Sequence, residues 1–506
     1  MEHFDVVVVG AGISGIGAGY HLKDKCPDRT CVILEGRDDI GGTWDLFRYP
    51  GIRSDSDMYT LGYSFKPWTD PQSIADGPAI LSYLNETADE FDLRRHIRFG
   101  HYVKRAAWST ADGLWTVDVE QKTGGGKLQF TCNFLFMCSG YYDYSQGFMP
   151  EFEGAADFKG QLIHPQHWPA DLNYRGKQVV VIGSGATAVT IVPEMAREAA
   201  KVTMLQRTPT YMVWRPGGDP MAEKLRQWFR PRFASTLIRW RNILFGMYFF
   251  RLCRKQPEKV KTMLLNGVRE QLPDVDINKH FTPPYKPWDQ RLCLVRDGDL
   301  FEAVRENRAT IVTDEIDHFT AEGIRLKSGE TLAADIIVSA TGLNMQLMSN
   351  LEILVDARPV KAADSLSYKG MMFSDIPNLA ASFGYTNASW TLKCDLTCEY
   401  VCKLLNYMKK HGFTQCLPAR PAAEVATAPF IDFSSGYVKR AMDQFPKQGR
   451  EKPWKVYQNY MMDKLTLGLS GVDDGVMQFS GPGSAGPENR NEQKALTEPE
   501  PLARTA

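Results

Sequence analysis

The sequence has no excess of charge of either sign and no long apolar run. Its 506 residues include 59 lysines and arginines against 60 aspartates and glutamates, for a formal net charge of -1. Nucleic-acid-binding domains usually carry a basic excess, so we expect no nucleic-acid partner. The apolar segment at residues 243–250 is far shorter than the roughly 20 residues that a membrane-spanning helix needs. The first apolar run, at Val6, lacks a signal-peptide cleavage region, so we expect no export signal.

The ten cysteines are scattered and include no Cys-x-x-Cys pair. This distribution predicts a reduced, cytoplasmic protein without a metal site. Cys394, Cys398 and Cys402 recur one helical turn apart, which is also the spacing of a ligand stripe. A buried helix face made of small residues explains the same spacing, and we favour it.

The beginning of the chain has the pattern of a dinucleotide-binding unit. An apolar strand leads into Gly10, Gly12 and Gly15, which open the following helix with the spacing G-x-G-x-x-G. Glycines at these places allow a tight turn, the close approach of a pyrophosphate, and packing of helix on strand. A second strand ends in Glu35, which is placed to accept hydrogen bonds from an adenosine ribose. An ordinary buried βαβ unit is the alternative interpretation.

A second unit of the same kind lies further along the chain. A buried strand leads into Gly183, Gly185 and Ala188, with the spacing G-x-G-x-x-A. The next strand is followed by Arg207 and Thr208 instead of an acid. A guanidinium and a hydroxyl can bind a 2′-phosphate, which a carboxylate would repel. We therefore assign FAD to the first unit and NADPH to the second; a chance surface arginine at position 207 is the alternative.

A loop rich in glycine, aspartate and arginine follows the first unit. Trp44 offers a flat surface for a ring system, and Asp55 has Arg48 and Arg53 as sequence neighbours, so we expect a carboxylate in a cationic setting. A solvated surface loop is the alternative. Together with the glycine-rich turns, this loop gives the candidate cofactor-binding residues Gly10, Gly12, Ser14, Gly15, Glu35, Thr43, Trp44, Asp45, Leu46, Asp55, Gly183, Ser184, Gly185, Thr187, Ala188, Arg207 and Thr208.

The order of these patterns predicts an α/β protein with two Rossmann-like dinucleotide-binding domains and an inserted helical subdomain. A chain of this length needs more than one core. The predicted divisions are 1–145 (first part of the FAD-binding domain), 146–334 (NADP-binding domain, with the helical insertion at about 215–280), 335–480 (second part of the FAD-binding domain) and 481–506 (disordered tail). Within the third division we expect an amphipathic helix at residues 399–410.

Residues 158–169, between the two units, read FKGQLIHPQHWP. This segment resembles the F-x-G-x-x-x-H-x-x-x-W-P fingerprint of type I Baeyer–Villiger monooxygenases, with Phe158, Gly160, His164 and Trp168 at its four defining positions. The flanking sequences GGTW, RYPG and ATG match that family as well. Within it, the RYPGIRSDSDMYTLGY and HPQHWP stretches are most similar to the ethionamide-activating group. The resemblance covers the chain from residue 4 to about residue 470.

The resemblance implies a definite reaction. NADPH would reduce FAD, the reduced flavin would react with O₂, and the flavin peroxide so formed would insert one oxygen atom into a ketone to give an ester or lactone. It would also oxidise sulfides and thioamides. A flavin-containing monooxygenase that oxidises only sulfur or nitrogen is one alternative, and a non-catalytic flavin-binding sensor is another.

The same resemblance implies roles for individual residues. Arg291 maps onto the family's active-site arginine, and Asp55 onto the aspartate that partners it. Val103 falls where backbone groups contact the adenine. His164 lies in the fingerprint between the domains, so we expect it to couple domain rotation to catalysis rather than to transfer a proton.

One position departs from the family pattern. Many members have a lysine immediately before the active-site arginine, where it helps to bind the 2′-phosphate; this chain has Gln290. Arg207 and Thr208 are therefore left to provide most of the preference for NADPH over NADH.

Residues 239–255 combine apolar side chains with five basic residues and no acidic one. This mixture suits a helix at a membrane surface or an oligomer contact. The alternative is an ordinary amphipathic helix of the inserted subdomain. We therefore expect a cytoplasmic protein, with peripheral membrane association and oligomer formation as options.

Overall fold

The computed structural model describes residues 1–423 and 425–481. Two β-sheets with helices packed against them form its core, which confirms the predicted α/β fold with two Rossmann-like units. Each sheet has one glycine-rich turn at the carboxyl end of a central strand. The tail predicted at residues 481–506 lies, apart from Gly481, outside the described residues.

The first sheet is built around the strand Glu2–Val9, whose last four residues are buried. This strand pairs in parallel with Cys31–Leu34 on one side and Lys127–Met137 on the other, so it lies inside the sheet and not at an edge. In order across the sheet, the strands are Arg358–Val360, Glu352–Val355, His101–Ser109, Leu114–Gln121, Lys127–Met137, Glu2–Val9, Cys31–Leu34 and Ile97–Arg98, and Leu379–Ala381 also pairs with Lys127–Met137.

The second sheet is entirely parallel. Its strands, in order, are Ala309–Thr313, Lys201–Gln206, Gln178–Ile182, Ile336–Ser339 and Gln161–Ile163. The domain boundary predicted at residue 335 is therefore wrong by one strand. Ile336–Ser339 pairs inside the second sheet, so the domain of that sheet continues to the end of this strand. A buried strand that ends in glycine has the same sequence pattern in either sheet, so the pattern could not decide between them.

Helices cover the faces of the sheets and fill the expected insertion. The longer ones are Ile13–Lys25, Gly77–Glu90, Ala186–Met195, Pro220–Trp228, Pro231–Lys255, Pro257–Gln271, Asp299–Arg305 and Trp390–His411. The short ones are Thr43–Leu46, Met58–Leu61, Ile277–His280, Gly436–Ala441 and Tyr460–Asp463. The helix predicted at residues 399–410 begins nine residues earlier, at Trp390. Polar and apolar residues alternate through residues 391–398, which read TLKCDLTC, so this buried segment shows no 3.6-residue periodicity.

Short strand groups join the two units to each other and to the remaining segments. They are Met212–Arg215 with Cys293–Arg296, Ile316–Thr320 with Gly323–Leu326 and Thr331–Ala333, Tyr142–Gly147 with Leu343–Met345, Ser367–Tyr368 with Met372–Phe373, Gln415–Pro418 with Met477–Ser480, and Thr427–Pro429 with Lys447–Gly449. The pair Tyr142–Gly147 and Leu343–Met345 lies where the chain passes between the two sheets, so the two crossings run side by side.

The helix Trp390–His411 packs on Ile13–Lys25, the helix that follows the first glycine-rich turn. Cys394, Cys398 and Cys402 are all buried on this long helix, as the small-residue interpretation predicts. Among the described residues, no three histidine, cysteine, aspartate or glutamate side chains are grouped to hold a metal ion. This packing brings the start of the long helix to the first glycine-rich turn.

Candidate active site

The first glycine-rich turn has the geometry that a phosphate group requires. Gly10 has a φ of +100°, and a Cβ atom there would lie 2.8 Å from the carbonyl oxygen of Cys138. A Cβ atom on Gly15 would overlap the carbonyl oxygen of Gly10, so only glycine lets helix and strand pack this closely. A Cβ atom on Gly12 would be in ordinary van der Waals contact with the Cα atom of Gly42, 3.5 Å away, so Gly12 lies against the Gly41-Gly42 turn. The turn therefore fits a pyrophosphate at the start of the helix.

Glu35 ends the second strand and is buried beside the same turn. Its carboxylate accepts hydrogen bonds from the N–H of Ala11 at 2.6 Å and from the N–H of Arg37 at 2.9 Å. Burial raises the pKa of Glu35, and the two backbone donors oppose that rise. Each carboxylate oxygen can accept a further hydrogen bond, so ribose hydroxyls are within the capacity of this side chain.

A cavity of about 880 Å³ opens beside this turn. Its wall contains the candidate residues Gly10, Gly12, Ser14, Glu35, Thr43, Trp44, Asp45, Asp55, Val103 and Arg291. Leu46, also predicted to contact the cofactor, lies in an apolar cluster with Phe47 and Ile52. A cavity of this volume, with a phosphate cradle and a ribose-binding acid in its wall, fits FAD.

Charged residues of the loop after Glu35 pair in a way that their sequence order does not show. Asp45 is buried and accepts a hydrogen bond from Arg48, while Arg53 pairs with Asp299. The expectation that Arg48 and Arg53 form the cationic setting of Asp55 is therefore wrong.

Asp55 pairs instead with Arg291, whose Nη1 donates to the Asp55 carboxylate. About a third of each side chain is accessible, 36% for Arg291 and 37% for Asp55, and both side chains line the cavity. The Asp55 charge raises the pKa of Arg291, so the guanidinium stays protonated. Two residues after Arg291, the Sγ of Cys293 lies 3.6 Å from the carbonyl oxygen of Ser184 in the second glycine-rich turn. Arg291 is therefore held between the two turns.

The second turn repeats the geometry of the first. Gly183 has a φ of +139°, and a Cβ atom there would overlap the carbonyl oxygen of Ala340. A Cβ atom on Gly185 would meet no atom within 4 Å, so the space in front of the turn is open. The hydroxyl of Ser184 donates to the carbonyl oxygen of Thr208 at 2.8 Å, which joins the turn to the end of the next strand. This open turn suits the phosphates of a second dinucleotide.

The residues predicted to select the 2′-phosphate lie just beyond Lys201–Gln206. Arg207 is exposed and makes no direct ion pair among the residues that the structure describes, and Thr208 is half-buried. At the third position of the fingerprint, Ala188 is fully buried, while Thr187 is half-buried at the start of the helix. An exposed guanidinium that forms no direct ion pair with a described residue is available to a phosphate.

His164 lies at the crossing between the domains. Its Nδ1 accepts a hydrogen bond from the N–H of Gln166 at 3.2 Å, and its Nε2 lies 3.1 Å from the carbonyl oxygen of Gly342. A Cβ atom on Gly147 would overlap the His164 ring. Burial lowers the pKa of His164, which favours the neutral ring with its proton on Nε2. His164 therefore contacts both crossings and is absent from the cavity wall, which agrees with a role between the domains.

Six tyrosine and tryptophan side chains in the cavity wall were not among the predicted site residues: Tyr102, Tyr141, Tyr142, Tyr144, Tyr385 and Trp390. Tyr141 and Tyr142 lie four and five residues beyond Met137, where the strand Lys127–Met137 ends. Ligands of α/β sheets bind at the carboxyl ends of strands, so this position was a usable signal. No comparable local signal marked Trp390, since its place depends on the packing of its helix.

Comparison with known proteins agrees with this site. A profile of the FMO-like family, described as flavin-binding monooxygenase-like, matches residues 4–238. The FAD-containing monooxygenase EthA of Mycobacterium tuberculosis is 53% identical over 481 residues, which cover 95% of this chain and 98% of EthA. The chain belongs to the FAD-containing monooxygenases. The probable FAD-binding monooxygenase AlmA of Acinetobacter baylyi is 48% identical over 480 residues, covering 94% of this chain and 96% of AlmA.

Solved structures share the fold of this flavin monooxygenase. The crystal structure of OTEMO in complex with FAD and NADP superposes with a TM-score of 0.67 at 25% identity, over 82% of this chain and 88% of that one. Oxidised steroid monooxygenase bound to NADP superposes with a TM-score of 0.76 at 23% identity, over 95% and 100%. The resemblance read from the sequence and the assignment as an enzyme are therefore confirmed.

Proposed function

We propose that this flavin monooxygenase uses FAD and NADPH to insert one oxygen atom of O₂ into ketones, giving esters or lactones, and to oxidise sulfides and thioamides. Bound FAD, once reduced, supplies the chemistry that activates O₂. The pair of Arg291 and Asp55 carries the proposal, because it sets a permanent positive charge in the wall of the cavity that fits FAD. An enzyme that oxidises only sulfur or nitrogen would gain less from this charge, since no carbonyl oxygen becomes negative in those reactions.

Arg291 acts in this proposal as the donor to the substrate oxygen that becomes negative. A guanidinium has five N–H donors, and its hydrogen bond to Asp55 leaves others free for the cavity. A fixed donor of this kind typically contributes about 3–4 kcal/mol to the stability of an oxyanion transition state. Asp55 keeps the guanidinium in one orientation, so its N–H groups point at the same place before each reaction.

The second turn is the proposed site of NADPH. Its open Gly185 lets the phosphates approach the start of the helix Ala186–Met195. Arg207 and Thr208 would hold the 2′-phosphate, and Gln290 adds no charge to that task. Arg291 lies between this turn and the first cavity, so the two cofactors would meet beside it.

Product analysis tests the proposal. The purified protein is incubated with NADPH and air, and with an aliphatic ketone or a thioether in separate reactions. We expect ester from the ketone and sulfoxide from the thioether. Sulfoxide without any ester would favour the S-oxidising alternative, and absence of NADPH-dependent oxygen consumption would favour the non-catalytic one. Products are measured directly, because release of hydrogen peroxide also consumes NADPH.

We also propose peripheral contact with a membrane through the helix Pro231–Lys255. Among the described helices, none has both the length and the apolar composition needed to cross a bilayer. This helix has no acidic residue in its 25 positions, and Leu244, Phe245 and Tyr248 are 53%, 60% and 62% exposed. Exposed apolar side chains beside cations suit the surface of an anionic bilayer.

A later segment of the same chain extends this exposed apolar surface. Trp240 of the helix contacts Tyr460, and the Nζ of Lys464 lies 4.7 Å from the centre of the Trp240 ring. The segment that follows Lys464 exposes Leu465 (49%) and Leu469 (76%). Single exposed apolar residues are common on proteins, whereas a group of this size usually marks a contact surface.

Sedimentation with vesicles tests the membrane contact. We expect the protein to sediment with vesicles containing phosphatidylglycerol and to stay in solution with phosphatidylcholine vesicles. The triple change Leu244→Ser, Phe245→Ser, Tyr248→Ser should abolish sedimentation, whereas Met149→Ser, at an exposed residue elsewhere, should not. If the triple change instead turns an oligomer into a monomer in light scattering, the surface is an oligomer contact.

We also propose a cytoplasmic location for the protein, which its ten free thiols support.

A further inference from the structure

Tyr141 and Tyr142 form a hydroxyl pair inside the cavity that contains Arg291. Their hydroxyl oxygens are 2.8 Å apart, which is a hydrogen bond between the two side chains. Both residues line the cavity together with Asp55 and Arg291. Consecutive tyrosines whose hydroxyls meet in this way place two neutral polar groups at one point of the cavity wall.

Aromatic contacts hold the two rings in place. The Tyr141 ring stacks on Trp390, with ring centres 5.0 Å apart and planes 25° apart. The Nε1 of Trp390 donates to the hydroxyl oxygen of Ser14 at 2.8 Å, which fixes Trp390 to the first glycine-rich turn. The Tyr142 ring meets Phe47 edge-on, with centres 6.5 Å apart. The hydroxyl pair is therefore positioned before any substrate enters.

A count of protons shows that this pair has one donor to spare. Two hydroxyls carry two protons, and the bond between them uses one. Among the residues that the structure describes, neither hydroxyl has a further hydrogen-bond acceptor. A hydroxyl proton that faces the cavity without a protein acceptor is available to an acceptor that enters the cavity.

Both hydroxyls stay protonated at neutral pH. Burial raises the pKa of Tyr141 and of Tyr142, and the nearby charge of Arg291 lowers each of them by less. A tyrosine with a raised pKa donates a hydrogen bond and does not act as a base. The pair is thus a neutral donor that stands beside a permanent cation.

We propose that the hydroxyl pair of Tyr141 and Tyr142 donates its spare hydrogen bond to the carbonyl oxygen of a ketone substrate, together with Arg291. This inference rests on the proposed function. The carbonyl oxygen gains negative charge when its carbon is attacked, so the donor bonds more strongly to the transition state than to the substrate. The sulfur of a thioether offers no such oxygen, so the pair accelerates the oxidation of ketones and not that of thioethers.

Phenylalanine variants test this role. The double variant Tyr141→Phe, Tyr142→Phe keeps the ring contacts and removes both hydroxyls. We expect the kcat for ketones to fall by about tenfold to a hundredfold, with the rate of thioether oxidation within about twofold of the parent. The single variants are measured alongside, and the hydroxyl that contacts the substrate is the one whose loss reproduces most of this effect. Equal losses for both substrates, or no loss for ketones, would overturn the proposal.

A matched control lies elsewhere in the fold. Tyr368 and Tyr400 form a second tyrosine pair, which is buried, with hydroxyl oxygens 3.3 Å apart, and neither residue lines the cavity. Tyr400→Phe should keep the parent ratio of ester to sulfoxide, whatever it does to stability. If Tyr400→Phe shifts that ratio as the cavity variants do, the effect is not local and the proposal fails.

A binding measurement separates this inference from the proposed function. Calorimetry gives the Kd of an unreactive tertiary amide for the FAD-loaded protein without turnover. We expect the double variant to bind the amide about fivefold to tenfold more weakly, because the amide oxygen accepts the same hydrogen bond. An unchanged Kd together with unchanged ester formation would overturn the inference and leave the proposed function intact. A parent protein that makes no ester would overturn both.

Discussion

Arg291 donates a hydrogen bond to Asp55, although 236 residues separate the two in the sequence. The first comes from the segment after the helical insertion and the second from the loop after the first Rossmann-like unit. Their contact closes the wall of the cavity that fits FAD and brings a fixed cation to the region between the two glycine-rich turns. The proposed chemistry depends on this relationship.

Replacement of Arg291 by alanine tests the role of its positive charge independently of cofactor binding. We expect Arg291→Ala to retain bound FAD and its reduction by NADPH, because the residue belongs to neither glycine-rich turn. Ester formation should fall by about 10²–10³ or more. Arg291→Lys keeps the charge without the fork of donors and should recover part of the rate. A rapid-mixing measurement of flavin reduction, beside product analysis, checks both parts; ester at the parent rate would remove Arg291 from the mechanism.

Two glycines of the second turn give a matched pair for the NADPH site. In Gly185→Ala the new methyl group enters open space, so we expect an unchanged Tm and flavin spectrum with a KM for NADPH raised about tenfold or more. In Gly183→Ala the methyl group meets the carbonyl oxygen of Ala340 at a φ of +139°, which should destabilise the fold by about 2 kcal/mol or more. Thermal unfolding and steady-state kinetics distinguish the two; a normal KM in Gly185→Ala would place the phosphates elsewhere.

We expect Arg207 to bind the 2′-phosphate of NADPH. Arg207→Ala should raise the KM for NADPH by about tenfold or more and change that for NADH little, because a charged hydrogen bond to phosphate contributes about 1.5–3 kcal/mol. Thr208→Val tests the hydroxyl in the same assay, with a smaller effect of the same sign. Equal changes for both cofactors would contradict the phosphate assignment.

His164 makes the stability of the protein depend on pH. Because burial lowers its pKa below the usual 6.5, the unfolded chain takes up a proton at a pH where the folded chain does not. This histidine therefore stabilises the fold at neutral pH, and its contribution is lost as the pH falls below about 6.5. Denaturation midpoints measured from pH 7.5 to 5 should fall less steeply for His164→Gln than for the parent. Identical slopes would show that folding leaves the pKa of the ring unchanged.

The two Rossmann-like units could be predicted because their signals are local. A buried strand, a glycine turn and a helix lie within thirty residues. The spacing of Gly10, Gly12 and Gly15 indicates where the helix packs on the strand and where a pyrophosphate can approach. The partner of Asp55 could not be found in this way, since Arg48 and Arg53 are nearer in sequence and pair with Asp45 and Asp299. Only the family resemblance connected Asp55 to Arg291.

The features that were missed depend on tertiary packing. The helix that begins at Trp390 was predicted to begin at residue 399, because polar and apolar residues alternate in its first two turns and show no helical periodicity. Ile336–Ser339 was assigned to the wrong unit because an apolar strand does not state which sheet it joins. The contact between the hydroxyls of Tyr141 and Tyr142 requires a turn geometry that the sequence alone does not specify.

Oxygen isotope transfer is the most direct test of a ketone-oxidising site built on Arg291 and Asp55. The FAD-loaded protein is given NADPH, an aliphatic ketone and ¹⁸O₂, and the product is analysed by mass spectrometry. We expect an ester that contains one ¹⁸O atom from the parent protein and almost none from Arg291→Ala. An ester without label, or no ester from a protein that still makes labelled sulfoxide, would contradict the account.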